Sequence, residues 1–412
     1  MKSKIQDLAI LGGEQLFGHE LHVGRPNIGN REKFMERVNA ILDNRWFTNN
    51  GPHVQQLEEQ LSDYLGVEHC ILLCNGTTAL EIAIRGLDLS GEVIIPSFTF
   101  VATAHALQWQ QITPVFCDVA PGSHHIDPDA IERHITPKTT AIMGVHVWGE
   151  TCDTTRLAAI AAQHRLKLLY DAAHALGCSN EGRMIGNFGD AEVFSFHATK
   201  FFNTFEGGAI TTNNAELAQK IRFMRNFGFA GYDDVRYLGI NGKMSEVSAA
   251  MGLSVFESLE EIIDINEANY HHYETHLQNI PGVRLFPYNE AEKRNYQYII
   301  VEINEAVTGI NRDTLTDILH RENILARRYF YPGCHQMEPY RSFFPYAEML
   351  LPNTNQLVQR VMSLPNGTTV TSVDIEKICD LIAFCVAHGH EISEMTVLRK
   401  AGLRKAGYRK CL

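Results

Sequence analysis

The sequence predicts an α/β fold, a mostly parallel sheet flanked by helices, with a smaller C-terminal α+β unit. Three observations carry this expectation. Between about residues 68 and 230, apolar runs of strand length alternate with helical patterns, as in a chain that returns through a helix after each strand. From residue 246 the strand signals give way to a longer helical pattern, which reads as a bridge to a second unit. The 412 residues, 45% hydrophobic and 20% charged, suffice for a large core and two domains.

Each element has its own justification. Residues 70–74, Cys-Ile-Leu-Leu-Cys, read as a buried strand, and Asn75-Gly76-Thr77-Thr78 opens the helical pattern of residues 79–84. A strand over 93–96 precedes a helix over 100–110, and apolar strands follow at 114–118, 140–145, 166–170 and 191–196. The helix from 246 runs through Met251, Leu253, Val255, Phe256 and Leu259 to about residue 277. Beyond it come strands at 282–286 and 298–303, a helix at 312–321 and a final helix near 374–388. The chain thus divides into a large α/β domain with an N-terminal arm over residues 1–255, a small α+β domain over 256–397 and a basic tail over 398–412.

Composition narrows the function classes. The formal net charge of -12 argues against nucleic acid as the main partner, because phosphate backbones are held chiefly by lysine and arginine. The tail is a local exception: residues 398–410 repeat Arg-Lys-Ala-Gly and carry six basic side chains and no acidic one, a pattern that reads as a solvated charge run. No uncharged apolar stretch reaches the roughly 18–20 residues of a membrane span, and the first residues lack the apolar core of a signal peptide. Cytoplasmic residence is the expectation. Nine scattered cysteines without a Cys-x-x-Cys pair predict reduced, mostly buried thiols.

The chemistry is concentrated at two strand ends. Lys200 closes Ser195-Phe196-His197-Ala198-Thr199-Lys200 after an apolar strand, 29 positions beyond Asp171, which ends another. Alone, such a lysine reads as a solvated charge and such an aspartate as a cap. Together they suit a covalent imine to an aldehyde cofactor and a carboxylate that keeps its pyridinium nitrogen protonated, which points to pyridoxal phosphate. The strand, Gly76-Thr77-Thr78 and helix run adds an anion cradle, since glycine lets the backbone approach and helix-start N–H groups favour negative charge.

Seven segments, in order, carry a resemblance: residues 46–52 (Trp-Phe-Thr-Asn-Asn-Gly-Pro), 75–80, 96–103, 171–177 (Asp-Ala-Ala-His-Ala-Leu-Gly), the lysine segment, 239–244 and 363–365. The sequence resembles the DegT/DnrJ/StrS family of nucleotide-sugar aminotransferases, enzymes of fold type I. The resemblance implies that Lys200 binds pyridoxal 5'-phosphate and shuttles the proton, that Asp171 pairs with the ring nitrogen and that His174 faces the phenolic oxygen. At the last position the family often has glutamine. Phe100 would stack on the ring; Gly76, Thr77 and Ser195 would hold the phosphate; His197 would lie beside cofactor or sugar. Asn241 would reach a phosphate across a homodimer interface. Phe205 stands where the family usually has glycine before Glu-Gly-Gly.

The same resemblance implies a nucleotide-linked ketosugar as acceptor and L-glutamate as donor, cycling through pyridoxamine phosphate. Residues 24–31 and 326–335 look like the branch acting on dTDP-4-keto-6-deoxyglucose, with amination at carbon 4; carbon 3 and uridine-linked sugars are the competing expectations. Arg25, Lys243, Arg327, Tyr329 and His335 are then the expected substrate contacts. A cofactor-binding regulatory protein without turnover is the alternative class, to which only the basic tail leans. No metal is expected: His272 and His276 lie four apart on a helix, but no third ligand at a fixed spacing accompanies them, nor the doublets His124-His125 and His388-Gly389-His390.

Overall fold

The computed structural model describes residues 2–395, so the basic tail lies outside the described residues. Seven strands form the main sheet: β1 His69–Leu73, β2 Glu92–Pro96, β3 Thr113–Cys117, β4 Thr139–Val145, β5 Lys167–Asp171, β6 Ala191–Ser195 and β7 Gly208–Thr212. Their order is β1-β7-β6-β5-β4-β2-β3. All contacts are parallel except those of β7, which runs antiparallel to both β1 and β6.

The uninterrupted apolar character of these strands follows from cover on both faces. Ile71, Leu73, Val93, Ile95, Ala141, Met143 and Leu169 point to one side, against α3 (Gly76–Gly86), α4 (Val101–Gln108) and α6 (Ala215–Arg225). The alternate residues turn the other way. Cys70 and Leu72 meet α2 (Pro52–Leu65), following α1 (Arg31–Asn44), while Ile94, Ile142, Leu168 and Tyr170 meet α5 (Thr154–His164). Each such aliphatic side chain contributes roughly 1.5–3 kcal/mol relative to exposure.

The predicted single helix over 246–277 is two, α7 Glu246–Phe256 and α8 Leu259–Leu277. Ser258, at φ -112 and ψ 13, leaves helical geometry between them. Tyr270, Tyr273 and Leu277 of α8 enter the core of the smaller unit, whereas Ile262 and Ile263 pack with the larger one. That smaller unit comprises an antiparallel sheet of β8 Val283–Leu285, β9 Ile299–Ile303 and β10 Val361–Leu364, with α9 (Arg312–Arg321), α10 (Pro352–Arg360) and α11 (Ser372–Ala387).

The N-terminal arm belongs to this smaller core. Ile5, Leu8, Phe17 and Leu21 are buried in it, and Leu21–His22 pairs in parallel with Ile324–Leu325. Glu322, fully buried, accepts the N–H groups of Ala9 and Leu16 at 2.7 Å each and pairs with Lys2 at 2.9 Å. In the opposite sense, Cys334, Tyr340 and Leu351 pack into the larger core. All eight described cysteines are free, seven of them buried. No helix among the described residues is long and apolar enough to cross a membrane.

Candidate active site

The carboxyl ends of the parallel strands meet at one edge of the sheet, where open α/β sheets bind ligands. Asp171 ends β5, Ser195 ends β6, Val145 ends β4, and the Asn75–Thr77 turn follows β1. Because β7 is antiparallel, its first residue, Gly208, lies at this edge too, opposite Leu73 and Ser195. The edge opens into a cavity of about 260 Å³ that also receives Tyr298, Arg327, Tyr329 and Phe330 from the smaller unit.

Asp171 is buried and anchored on both oxygens. Oδ2 accepts from Thr103 Oγ1 at 2.8 Å and Oδ1 from the Ala173 N–H at 3.1 Å. Burial raises its pKa, while those hydrogen bonds and the charges of Lys200 and His146 oppose the rise. Thr103 is itself held by Thr99 at 2.8 Å. Such a carboxylate is fixed in place and seeks a cationic partner.

Lys200 Nζ donates to Tyr298 Oη at 3.0 Å. Burial pushes its amine down to about 7; Asp171 works against the shift and Arg327 adds to it. A substantial neutral fraction at neutral pH makes this amine a nucleophile and a base.

His174 accepts the Trp148 N–H on Nδ1 at 3.2 Å, and its ring stacks on Trp148 at 5.6 Å between centroids. Burial and the Lys200 charge hold its pKa well below the usual histidine value. The imidazole is therefore neutral with its proton on Nε2, a donor for an oxygen in the cavity. Trp148 presents its N–H from a left-handed conformation, φ 65. Asn295 fixes the loop by donating to the carbonyls of His174 and Leu176 at 2.9 Å each.

Asn75 caps α3 by accepting the Thr78 N–H at 2.8 Å, and its carbonyl takes the Ala79 N–H at 3.1 Å. Gly76 and Thr77 form the first turn beside Ser195. A Cβ at Gly208 would stand 2.8 Å from Gly76 N, so that wall of the corner requires glycine, and one at Gly76 would crowd Ser195 Cβ at 3.0 Å. Phe100, at the N-cap of α4, keeps 52% of its surface exposed within the cavity, an apolar face for a flat ring. The donor set fits pyridoxal phosphate: a glycine-lined anion corner, an anchored carboxylate, a neutral histidine donor, an aromatic face and a buried amine.

A model of the DegT/DnrJ/EryC1/StrS aminotransferase family matches residues 29–383. The chain belongs to this family. It is 39% identical, over 88% of its length and 98% of the relative's, to a dTDP-4-amino-4,6-dideoxy-D-glucose transaminase of Shigella dysenteriae. A transaminase of the same name from Escherichia coli is 37% identical over 87% of this chain and 97% of that one. A solved structure of DesI in the presence of its TDP-sugar product superposes with a TM-score of 0.92 at 45% identity, covering 95% of this chain and 100% of that chain. As a family member the chain is an aminotransferase.

Ten of the residues expected from the sequence line the cavity of this aminotransferase: Gly76, Thr77, Phe100, Asp171, His174, Ser195, His197, Lys200, Arg327 and Tyr329. His197 bonds Thr199 Oγ1 at 2.9 Å and approaches Glu206 at 3.6 Å, at the exposed rim. Arg327 lies over the Tyr329 ring, 5.1 Å from its centroid.

Four lie elsewhere. Arg25 is exposed, next to Gly24, which touches the Thr199 backbone closely enough that a Cβ would meet its carbonyl at 2.7 Å. Asn241 accepts from Lys243 Nζ at 2.6 Å, and Lys243 borders a separate hollow with Asn49, Asn50, Arg222, Arg225 and Asn226. His335 does not reach the cavity: it is buried, with Nδ1 at 2.7 Å from Ser97 Oγ and Nε2 at 2.9 Å from Asn355 Oδ1. Both ring nitrogens are thus occupied within the protein, and the residue fastens the end of β2 to α10. Sequence reasoning missed Tyr298 and Trp148, which no motif marks because they reach the site through tertiary packing, and it gave no role to Thr103, although that residue closes the 96–103 segment.

Proposed function

We propose that this aminotransferase uses pyridoxal phosphate to move the amino group of glutamate to C4 of dTDP-4-keto-6-deoxyglucose. The observation that carries the cofactor is the shared cavity of a buried amine, Lys200, and an anchored carboxylate, Asp171, beside the Gly76 corner. The sugar rests on the relatives named for the 4-amino product and on DesI with its TDP-sugar.

Gly76, Thr77 and Ser195 would hold the phosphate, Phe100 the ring face, Asp171 the pyridine nitrogen and His174 Nε2–H the phenolic oxygen. Bound there, the cofactor supplies an electron sink for the carbon that loses a proton. Lys200 would take up that proton and hand it back on the far side of the transferred nitrogen; its depressed pKa keeps it able to accept at neutral pH. Tyr298 holds the amine in reach when it is free. Arg327, which lies over Tyr329 and lines the cavity from the smaller unit's side, would take the sugar's diphosphate by charged hydrogen bonds. We further propose a homodimer, in which Asn241 and Lys243, outside their own cavity, complete the partner's phosphate site.

The test follows the visible band of the holoenzyme. Glutamate should abolish it, dTDP-4-keto-6-deoxyglucose should restore it, and the sugar should carry a 4-amino group by NMR. Restoration by a 3-keto or uridine-linked sugar alone would overturn the substrate and leave the cofactor chemistry standing; a protein that binds no cofactor would overturn both.

A further inference from the structure

His272 and His276 stand one turn apart on α8, on the same face of the helix. The sequence offers them no third ligand at a fixed spacing, but packing does. α8 lies against α11, and Glu376 of α11 approaches the pair so that one ligand atom from each of the three residues lies within 4.8 Å of the others. His272 Nε2 is 3.4 Å from Glu376 Oε1, and the two imidazole centroids are 4.8 Å apart. His272 Nε2 is also shielded from solvent without a hydrogen bond, a state that folded proteins normally resolve with a partner.

We propose that His272, His276 and Glu376 form a binding site for one divalent transition-metal ion of the zinc class. Bonds of about 2.0–2.2 Å place tetrahedral ligand atoms roughly 3.3 Å apart, close to the His272–Glu376 separation. Closing a gap of up to 4.8 Å takes a shift of about 1.5 Å, the scale of a side-chain rotamer adjustment, and the Glu376 side chain is 50% exposed and free to make one. Two imidazoles with one carboxylate select zinc, nickel or copper over magnesium and calcium, which take oxygen ligands. Three protein ligands leave a fourth position for water. The described thiols do not compete: seven are buried and Cys74 is half-buried.

None of the three residues lines the active-site cavity. Their ion ties α8, which spans both cores, to α11 of the smaller unit. Metal binding therefore stabilises the fold by mass action and leaves the catalytic groups alone.

The experiment titrates chelator-treated holoenzyme with Zn²⁺ against a chromophoric zinc indicator, records the visible spectrum with Co²⁺ and follows the thermal midpoint. The expected result is one ion per chain at micromolar concentration or tighter, a four- or five-coordinate Co²⁺ spectrum, and a midpoint that climbs with zinc but not with millimolar Mg²⁺. His276→Ala and Glu376→Gln, each with a cofactor band like the wild type, should weaken zinc binding at least tenfold and remove the climb. Glu376 is half-exposed, so its variant carries the test should the histidine variant fail to fold. Unchanged affinity in the variants, or binding only at millimolar zinc, overturns the site.

Discussion

Lys200 is the residue on which two titrations of meaning converge, as a base in the reaction and as a buried charge in the fold. Lys200→Ala should lower transamination by at least ~10²–10⁴-fold while glutamate still binds, read by single-turnover spectroscopy. Its stability effect has a definite sign. The folded amine titrates at about 7 instead of 10.5, so in cofactor-free protein the unfolded chain binds more protons between those values. Stability from this group is lowest below pH 7 and rises with pH up to about 10.5. Lys200→Met should therefore raise the thermal midpoint most at pH 7 or below, with a gain that shrinks toward pH 10; a gain independent of pH would overturn the assigned shift. Phe205 offers a second test. It occupies the left-handed region at φ 62, and its ring meets Phe34 edge-on at 5.8 Å. Phe205→Gly and Phe205→Ala both lose that contact, but only glycine relieves the backbone, so the glycine variant should be more stable than the alanine one by about 1–2 kcal/mol in urea unfolding. At this scale the sequence was legible wherever a reactive side chain ended an apolar strand, as Asp171 and Lys200 do. Tyr298 was not legible, because it meets Lys200 across 98 positions through the docking of two units.

Helix α3 shows how an element carries binding. Its cap, Asn75, takes the Thr78 N–H, and the turn it fixes presents Gly76 and Thr77 to the cavity. Asn75→Ala should cost about 0.5–2 kcal/mol of stability and raise the cofactor dissociation constant, with Asn75→Ser recovering most of both; equal losses in the two variants would show that capping is not the cause. The strands of the larger unit were readable to within a residue or two from their apolar runs, since two-sided burial leaves little room for polar positions. β7 escaped notice. Gly-Ala-Ile-Thr-Thr carries no strong strand pattern, and its antiparallel place between β1 and β6 is a fact of topology that no local sequence states. The break at Ser258 was equally silent, because apolar spacing continues across it.

For the whole molecule, the exposed apolar surface bears on assembly. Phe227, Phe229, Tyr232, Leu238 and Ile240 are exposed on the segment that leads to Asn241, and Trp46, Phe47 and Leu42 on another, more than scattered surface residues require. If sites are shared between protomers, mixing Lys200→Ala with Asn241→Asp after reversible dissociation should restore activity, since each mixed dimer contains one site free of both lesions. No recovery in mixed dimers, confirmed by mass, would place Asn241 outside the partner's site.

The threading of the arm has a consequence for biogenesis. Ile5, Leu8, Phe17 and Leu21 bury only against a core drawn from residues 270–392. At about 5–20 residues per second on the ribosome, these apolar groups wait tens of seconds for their shelter, long after the strands of the larger unit have been made. A nascent chain of this enzyme thus carries these apolar groups unsheltered until residues 270–392 have been made, an interval in which exposed hydrophobic surface favours aggregation and is the kind that chaperones cover.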